Sequence, residues 1–344
     1  MKKFYIILSS LILSACVYTL CAKNLRGKNS FNTIGVTIPT APPGTPVAVN
    51  GRLHVGGRYL KNEQGDNAML RGQSYGWSNF WPQFWNEDVV NWMATDFKVD
   101  VLRAAMGAEF SGGYVKGNRA AQVKLVKTVV NAAIKNGIYI IIDFHAHDIH
   151  TAEAKEFFTE MAKTYAGYPN IIYELYNEPD HETWDDVKAY SIEIIKTIRK
   201  YDAHNIILVG NPKWDQSIKA VAKSPITGFD NIMYTVHFYA ASHGKWLRDD
   251  CTYALNKGIP VFVSECNGTE ATGSGRIDYK EWQAWFNFLE KNQISWVNWS
   301  IADKRNELCS IVQPGASAKG GWPVSQLTET GAYVRARLRS YRTR

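Results

Sequence analysis

The chain has 344 residues, of which 45% are hydrophobic and 13% aromatic, so it can bury a large core. Its formal charge of +7 is scattered along the sequence. There is no run of Lys and Arg of the kind that marks nucleic-acid binding, so we expect no nucleic-acid partner. Core packing accounts for most of the twelve Trp and eighteen Tyr, although flat rings also stack on sugar faces.

The first residues have the pattern of an export signal. A basic start, Met1-Lys2-Lys3, precedes an apolar stretch over residues 4–15 that is too short to span a bilayer. We therefore expect a signal peptide over residues 1–22 and a secreted protein. The sequence around Cys16 also resembles a bacterial lipobox, which would make Cys16 a lipidated first residue and anchor the protein at the cell surface. Ordinary cleavage near Ala22 or after Cys16 is the alternative.

The residues after the signal change in composition. Residues 23–47 are rich in Asn, Thr, Gly and Pro and predict a flexible linker. Residues 51–67 alternate apolar and polar side chains around turn signals, which predicts a small hairpin that plugs the bottom of the main fold. We place a single catalytic domain at residues 48–341.

Strand and helix patterns alternate through the rest of the chain. Helical periodicity is clear over residues 121–135 and 184–199. Eight strands, each followed by a helix, predict an α/β fold of the (β/α)8 TIM-barrel type. A doubly wound open sheet is the alternative, but no GxGxxG follows the first strand. The predicted strands are residues 68–75, 99–106, 138–145, 170–177, 205–211, 232–239, 259–266 and 295–301.

Polar residues occur where these strands end. Barrel enzymes place their active sites at this end of the strands, whereas barrel interiors are otherwise Val, Ile and Leu. Core packing explains such a ring poorly, because burying several charges gains no stability. The ring consists of Arg103, His145, Asn177, Glu178, His237, Tyr239, Glu265 and Trp299.

Two of these residues are carboxylates, Glu178 and Glu265. Glu178 follows the apolar run at residues 171–173 and precedes Pro179, which cannot donate to a strand ladder and so ends the strand. Two carboxylates in one barrel mouth suit the hydrolysis of an acetal. One would protonate the leaving oxygen, and the other would attack the anomeric carbon or activate water.

Eight motifs between residues 51 and 339 resemble those of family 5 glycoside hydrolases, in particular the cellulase-like subfamily of endo-β-1,4-glucanases. The resemblance implies a retaining enzyme that cleaves internal β-1,4 bonds of cellulose and related β-glucans through a glycosyl-enzyme intermediate. It implies no cofactor and no metal, and we expect a monomer. The motifs are LRGQSYGW, VLRAAMG, IIIDFHAH, YELYNEP, VHFYAASHG, FVSECNGT, WVNWSIADK and PGASAKGGW.

The same resemblance implies a role for each residue of the ring. Glu178 would be the acid/base and Glu265 the nucleophile. Glu178 then needs a raised pKa, which a neighbouring anionic Glu265 would provide, while Arg103 keeps Glu265 ionised. Tyr239 would donate a hydrogen bond to Glu265, and Asn177 would contact the sugar 2-hydroxyl.

The remaining implied roles concern substrate binding. His145 and His237 would contact substrate, Trp299 would stack on the sugar at the −1 position, and Lys304 would reach a glucose further along the non-reducing side. A further stacking ring falls nearest Phe80, with Trp77 and Trp81 as competing candidates. Glu307 is assigned no role, because relative to the family the loop after Lys304 has one extra residue before it.

Other functions are compatible with parts of the pattern. His145-Ala146-His147 could hold zinc with His237 and Asp303, as in a metal-dependent barrel hydrolase. A sugar-binding barrel without catalysis is a third class. Within the favoured class, β-mannan or glucomannan is the alternative substrate, and xylan and mixed-linkage glucan remain open. We expect no carbohydrate-binding module after the barrel, and we therefore expect amorphous cellulose to be a better substrate than crystalline fibre.

Three cysteines lie beyond the signal region. Cys266 follows the second carboxylate and Cys309 lies on the loop after the last strand, so we predict a disulfide between them. Cys251 is predicted to be a buried thiol on a helix.

Overall fold

The computed structural model describes residues 38–342. The expected signal peptide at residues 1–22, the lipidation site at Cys16 and the linker up to residue 37 lie outside the described residues. Residues 38–47, which the sequence assigns to the linker, belong to the same compact unit as the rest of the described chain.

The first elements close one end of the fold. They are helix α1 (Pro46–Asn50) and an antiparallel hairpin of β1 (His54–Gly56) and β2 (Tyr59–Lys61). Val47, Leu53 and Leu60 are buried in one cluster with inward-facing residues of the sheet that follows. The amide of Val47 also donates to the carbonyl of Gly137, at 2.9 Å. The predicted hairpin plug is thus confirmed.

Eight parallel strands form a closed barrel, and each pairs with its neighbours in chain order. The last strand closes the barrel against the first. This confirms the (β/α)8 prediction and excludes the open sheet. The strands are β3 (Arg71–Tyr75), β4 (Val101–Gly107), β5 (Tyr139–His145), β6 (Ile171–Glu174), β7 (Ile206–Val209), β8 (Ile232–Tyr239), β9 (Val261–Asn267) and β10 (Trp296–Ile301).

Helices surround the barrel and bury apolar faces against it. The helix predicted at residues 184–199 is found with those bounds, and its N-terminus carries a capping box formed by Thr183 and Asp186. No helix within residues 38–342 is long and apolar enough to cross a membrane. The main helices are α2 (Glu87–Trp92), α3 (Arg119–Asn136), α4 (Thr151–Tyr165), α5 (Trp184–Arg199), α6 (Ile218–Lys223), α7 (Lys245–Asn256), α8 (Tyr279–Asn292) and α9 (Glu329–Ser340).

Alternation along the strands divides the barrel interior into two layers. On β5, Tyr139 and Ile141 face the apolar cluster at the bottom of the barrel, whereas Ile140 and Ile142 face the helices. Asp143 and His145 continue the inward series towards the mouth, and both are buried. An aliphatic and aromatic layer therefore supports a layer of charged side chains above it.

Strand β9 contains a β-bulge. Thr235 of β8 pairs with Phe262, but His237 pairs with Glu265, so β9 has one extra residue between these pairs. The bulge lets both Ser264 and Glu265 contact groups on the inner face of the barrel.

The bulge also explains why the predicted disulfide is wrong. Cys251, Cys266 and Cys309 are free thiols, and all three are buried. Cys266 packs in the layer between the barrel and the helices, whereas Cys309 packs at the mouth with Trp299 and Tyr239. The side chains of Cys266 and Cys309 lie on opposite sides of the barrel wall, so they cannot bond. Cys251 is the buried helical thiol that the sequence predicts.

Candidate active site

The structure brings the two predicted carboxylates together at the barrel mouth. One oxygen from Glu178, one from Glu265 and a ring nitrogen of His237 all lie within 4.8 Å of one another. The Glu178 side chain is 14% exposed and that of Glu265 is 5% exposed. Both carboxylates can therefore reach a ligand in the mouth while they remain largely shielded from water.

Arg103 connects the charged layer to Glu265. Its Nη1 donates to Glu265 Oε2 at 2.8 Å, and its Nε donates to Glu174 Oε2 at 2.7 Å. Its Nη2 lies 3.0 Å from Asp143 Oδ2. The guanidinium is fully buried, and these carboxylates compensate its charge. Burial lowers the pKa of Arg103, but the neighbouring acids outweigh this effect and raise the pKa well above its ordinary value.

Hydrogen bonds hold two further residues of the mouth, and that of Tyr239 to Glu265 is the one that the sequence predicts. The Tyr239 hydroxyl donates to Glu265 Oε1 at 2.7 Å, and burial together with the Glu265 charge raises the pKa of Tyr239, so the hydroxyl keeps its proton. Asn177 accepts from Arg103 through its side-chain oxygen at 2.7 Å. This contact identifies the Asn177 oxygen as the acceptor and leaves its amide nitrogen as a donor.

His145 lies between two aromatic rings and a buried acid. Its ring is parallel to that of Trp299 with centroids 5.1 Å apart, and it meets Trp77 edge-on at 4.3 Å. Its Nδ1 donates to Asp143 Oδ2 at 2.7 Å. Burial and the nearby Arg103 lower the pKa of His145, so the ring is neutral and offers Nε2 as an acceptor.

His237 is hydrogen-bonded through both ring nitrogens. Nδ1 lies 2.9 Å from Glu178 Oε1, and Nε2 lies 2.9 Å from Ser264 Oγ and 3.3 Å from Asp215 Oδ2. Burial lowers the pKa of His237, but the charge of Asp215 and the hydrogen bonds to Glu174 and Glu178 raise it well above the ordinary value. His237 borders the mouth cavity, yet its nitrogens contact protein groups.

The pKa order of the two carboxyls differs from the expectation. Burial raises the pKa of Glu178, but the hydrogen bond and charge of His237 oppose this and hold it below the ordinary value. Burial and then the charge of Glu178 raise the pKa of Glu265, against His237, Arg103 and Tyr239. The prediction that the pKa of Glu178 is raised is therefore wrong for the substrate-free site, because it did not include the hydrogen bond between Glu178 and His237.

A cavity of about 480 Å³ contains the predicted stacking residues and Lys304. Of the three competing rings, Phe80 is 48% exposed, whereas Trp77 is 9% exposed and packs beneath it. Phe80 is thus the ring most accessible to a ligand. Glu307 also lines this cavity and accepts from Lys304 at 2.7 Å.

A second cavity, of about 490 Å³, contains Glu178, His147 and His243. Its outer wall includes Trp214, which is 45% exposed. Trp214 lies in a left-handed turn in which Lys213, Trp214 and Asp215 have φ angles of 59°, 54° and 61°. Such a run is strained for residues with a Cβ. The Trp214 amide donates to the carbonyl of Pro179 at 2.9 Å, which ties the turn to the segment that carries Glu178.

The loop after β5 is held by Glu109. The Glu109 carboxylate accepts from the amides of His147 and Asp148 and lies 3.0 Å from His150 Nε2. His147 Nδ1 is consequently placed 3.9 Å from Glu178 Oε2. The sequence did not predict a role for Glu109. In the sequence it is only an acid shortly after β4, which does not distinguish it from a solvated loop residue.

The zinc hypothesis requires His145, His147, His237 and Asp303 to converge. Within residues 38–342, no group of metal-binding distance contains three of them. His145 Nδ1 is taken by Asp143, and Asp303 lies 3.5 Å from the side chain of Gln83. The residues present therefore fit carboxylate chemistry better than a zinc site.

Three buried acids in the barrel escaped the sequence prediction. Asp143 and Glu174 each interrupt an apolar strand run, and a charge in such a run needs a buried partner, so this signal could have identified them. Asp215 gave no such signal, because its position under His237 depends on the left-handed turn.

A closed parallel barrel with two carboxylates facing each other in an open mouth defines a barrel glycoside hydrolase. The family model described as cellulase (glycosyl hydrolase family 5) matches residues 61–305. The chain belongs to glycosyl hydrolase family 5.

Similar curated proteins carry endoglucanase and cellulase names. Endoglucanase A of Evansella cellulosilytica is 40% identical over 80% of this chain and 57% of that protein. Endoglucanase 5 of Pectobacterium carotovorum is 39% identical over 86% of this chain and 59% of that protein. The chain therefore spans less than three fifths of the length of these two relatives. Cellulase CelDZ1 of Thermoanaerobacterium is 33% identical over 98% of this chain and 95% of that protein.

Solved structures show the same architecture. A structure from Cytophaga hutchinsonii has a TM-score of 0.84 and 45% identity, and covers 86% of this chain and 97% of that chain. The catalytic domain of endoglucanase Cel5A from Thermobifida fusca has a TM-score of 0.81 and 30% identity, over 86% of this chain and 100% of that chain. A variant of that enzyme was solved in complex with cellotetraose.

Proposed function

We propose that this chain is a secreted, retaining endo-β-1,4-glucanase that hydrolyses cellulose and related β-glucans. The observation that carries the proposal is the close approach of Glu178 and Glu265, whose nearest oxygens lie within 4.8 Å. Retaining glycosidases hold their carboxyls about 5–5.5 Å apart, and inverting ones about 6.5–9.5 Å. The endoglucanase names of the relatives support the choice of a β-1,4-glucan.

In the first step, Glu265 attacks the anomeric carbon while Glu178 protonates the leaving glycosidic oxygen. Arg103 and Tyr239 hold the Glu265 oxygens at 2.8 and 2.7 Å, which fixes the nucleophile in position. The amide nitrogen of Asn177 is oriented to donate to the 2-hydroxyl, a contact that strengthens as positive charge develops on the sugar ring.

In the second step, water attacks the glycosyl-enzyme ester and Glu178 accepts a proton from that water. The second attack restores the original anomeric configuration. Neutral His145 accepts a hydrogen bond from a sugar hydroxyl through Nε2. Trp299, which is 8% exposed and lines the mouth, stacks on the sugar at the −1 position.

Internal cleavage is supported by the two mouth cavities. The cavity with Phe80 and Lys304 would hold glucosyl units on the non-reducing side, and the cavity with Trp214 would hold units on the reducing side. Exposed rings in both cavities can stack on the apolar faces of the sugars. A chain that extends beyond both cavities can therefore be cut within its length.

The substrate is tested by incubating the protein separately with carboxymethyl cellulose, glucomannan, mannan, xylan and lichenan and measuring reducing ends. We expect release from carboxymethyl cellulose with an early loss of viscosity, which marks internal cleavage. Release from mannan alone would replace the glucan assignment by a mannanase. Proton NMR of the first product tests the mechanism: the β-anomer supports retention, and the α-anomer contradicts it.

The carboxylate roles are tested with two variants and a control. Glu265→Gln should lower kcat by about 10⁴-fold or more, because a neutral amide cannot form the glycosyl ester. Glu178→Gln should lose activity on cello-oligosaccharides but retain it on dinitrophenyl cellobioside, whose leaving group needs no proton. Glu290→Gln alters a surface acid paired with Arg71 and should have little effect. Equal activity of Glu265→Gln and wild type would favour a non-catalytic sugar-binding barrel.

We also infer export and a monomeric enzyme. Export rests on the signal-like residues 1–22, and the lipid anchor at Cys16 is the alternative to free secretion. Fractionation of cells expressing the full chain shows whether the protein is released or stays with the membrane. Metabolic labelling with palmitate tests the anchor directly, because Cys16→Ala abolishes the label only if Cys16 is lipidated. Size-exclusion chromatography with light scattering tests the monomer.

A further inference from the structure

Asp215 is a fully buried carboxylate that the two-step mechanism leaves without a role. It lies at the end of the left-handed turn after β7. Its Oδ1 accepts from the amide of Asn211, and its Oδ2 accepts from the Thr235 hydroxyl. The same Oδ2 lies 3.3 Å from Nε2 of His237. Asp215 therefore faces the side of the imidazole ring remote from Glu178.

The neighbouring hydrogen bonds determine which nitrogen of His237 carries a hydrogen. Ser264 donates its only hydrogen to Glu174 Oε1 at 2.7 Å, so its oxygen can only accept from Nε2 of His237. Nε2 is consequently protonated. Nδ1 faces Glu178 Oε1 at 2.9 Å, a distance that fits a hydrogen bond with the hydrogen on either the nitrogen or the oxygen.

We propose that Asp215 is a positioning residue that acts through His237, and that the charge of its carboxylate decides whether the proton of the general acid lies on His237 or on Glu178. The proposal rests on the acid role proposed for Glu178. It assigns Asp215 no contact with substrate.

The two states of Asp215 differ in one hydrogen bond. Ionised Asp215 accepts from Thr235 and stabilises the imidazolium, which keeps the proton on Nδ1 and leaves Glu178 anionic and unable to act as an acid. Protonated Asp215 instead donates to Thr235, which turns its own hydrogen to the Val209 carbonyl, 3.2 Å away. Without the adjacent anion the N–H bond at Nδ1 breaks, an O–H bond forms on Glu178, and a neutral imidazole remains.

The titratable groups around His237 come from every neighbouring element. Asp215 follows β7, Glu174 and Glu178 belong to β6 and the segment after it, and Glu265 belongs to β9. His147 and His243 line the mouth cavity beside His237. Buried Asp143 and His145 on β5 also interact electrostatically with His237. Burial raises the pKa of Asp215 to about 8, although His237, Thr235 and the Asn211 amide each lower it. The Asp215 carboxyl therefore ionises on the basic side of neutrality.

The test is the pH profile of kcat/KM on cellotetraose for wild type, Asp215→Asn and a control. Wild type should lose activity above about pH 8 and retain about a tenth of its optimum at pH 9. Asp215→Asn cannot acquire the charge. The basic limb of its profile, where kcat/KM falls with rising pH, should therefore lie at a pH higher by about one unit or more. Asp202→Asn changes another buried acid, which accepts from Tyr173 at 2.9 Å, and should keep the wild-type profile.

Two further measurements separate the proposal from its alternatives. On dinitrophenyl cellobioside the basic limb should be absent in wild type, because no acid is needed. Should Asp215→Asn fail to fold, Thr235→Val removes the hydrogen bond that lowers the Asp215 pKa, and its limb should also move up. Unshifted basic limbs in the folded variants would overturn the proposal. Full activity of Glu178→Gln on cellotetraose would instead overturn the acid assignment beneath it.

Discussion

Replacing Arg103 by Lys preserves the buried charge but removes the planar fork of donors. The guanidinium makes five contacts of 3.3 Å or less, and an ammonium has three hydrogens, so Arg103→Lys leaves at least two unmade. At about 1.5–3 kcal/mol for each hydrogen bond to a charged group, the free energy of unfolding should fall by about 3–6 kcal/mol. The contacts are with Glu174, Glu265, Asn177 and Asp143.

Thermal unfolding measures this effect against a matched control. Arg71 makes the same fork, to Glu290 at 3.0 and 2.7 Å, but on a surface where the side chains are 19% and 36% exposed. Arg71→Lys should therefore cost less than about 1 kcal/mol. We expect the melting temperature of Arg103→Lys to fall by about 10 °C. If both variants lowered it equally, the charged layer would not depend on the Arg103 geometry.

Three other outcomes are expected. Ellman's reagent should find none of the thiols of Cys251, Cys266 and Cys309 in native protein and all three after denaturation in a chain beginning at residue 38, whereas a disulfide would leave one. Glu109→Gln should lower the free energy of unfolding by about 1–3 kcal/mol, because the loop amides lose an ionised acceptor; a stability equal to wild type contradicts this. Trp214→Ala should raise KM for cellohexaose by about tenfold and that for cellotriose much less, since only the longer chain reaches the outer wall of the cavity; equal changes would remove Trp214 from the binding site.

The barrel could be predicted because its signals are local. Each strand is a short apolar run, and the runs predict the strands to within about three residues at either end. The residues at the mouth follow from the same runs, since a parallel barrel brings the carboxyl ends of its strands together. Arg103, Glu178 and Glu265 meet for this reason, although they lie far apart in the sequence.

The parts that failed depend on geometry without a local signal. The bulge in β9 shifts the alternation, so Cys266 faces away from Cys309. Three consecutive left-handed residues place Asp215 under His237, and none of them is a glycine that would have indicated the conformation. The pKa order was missed because it depends on whether His237 is protonated, which its three-dimensional surroundings decide.

The charged layer also indicates where a more heat-resistant variant could be sought. Arg103 and its buried carboxylates fill the barrel interior near the mouth, whereas aliphatic and aromatic side chains fill it at the bottom. Apolar replacements of buried ion pairs often stabilise proteins, but here they would remove the groups that hold Glu265. Engineering for heat resistance should therefore leave the barrel centre unchanged and act on the outer helices and on strained turn positions such as Lys213, where glycine adopts the backbone conformation more readily.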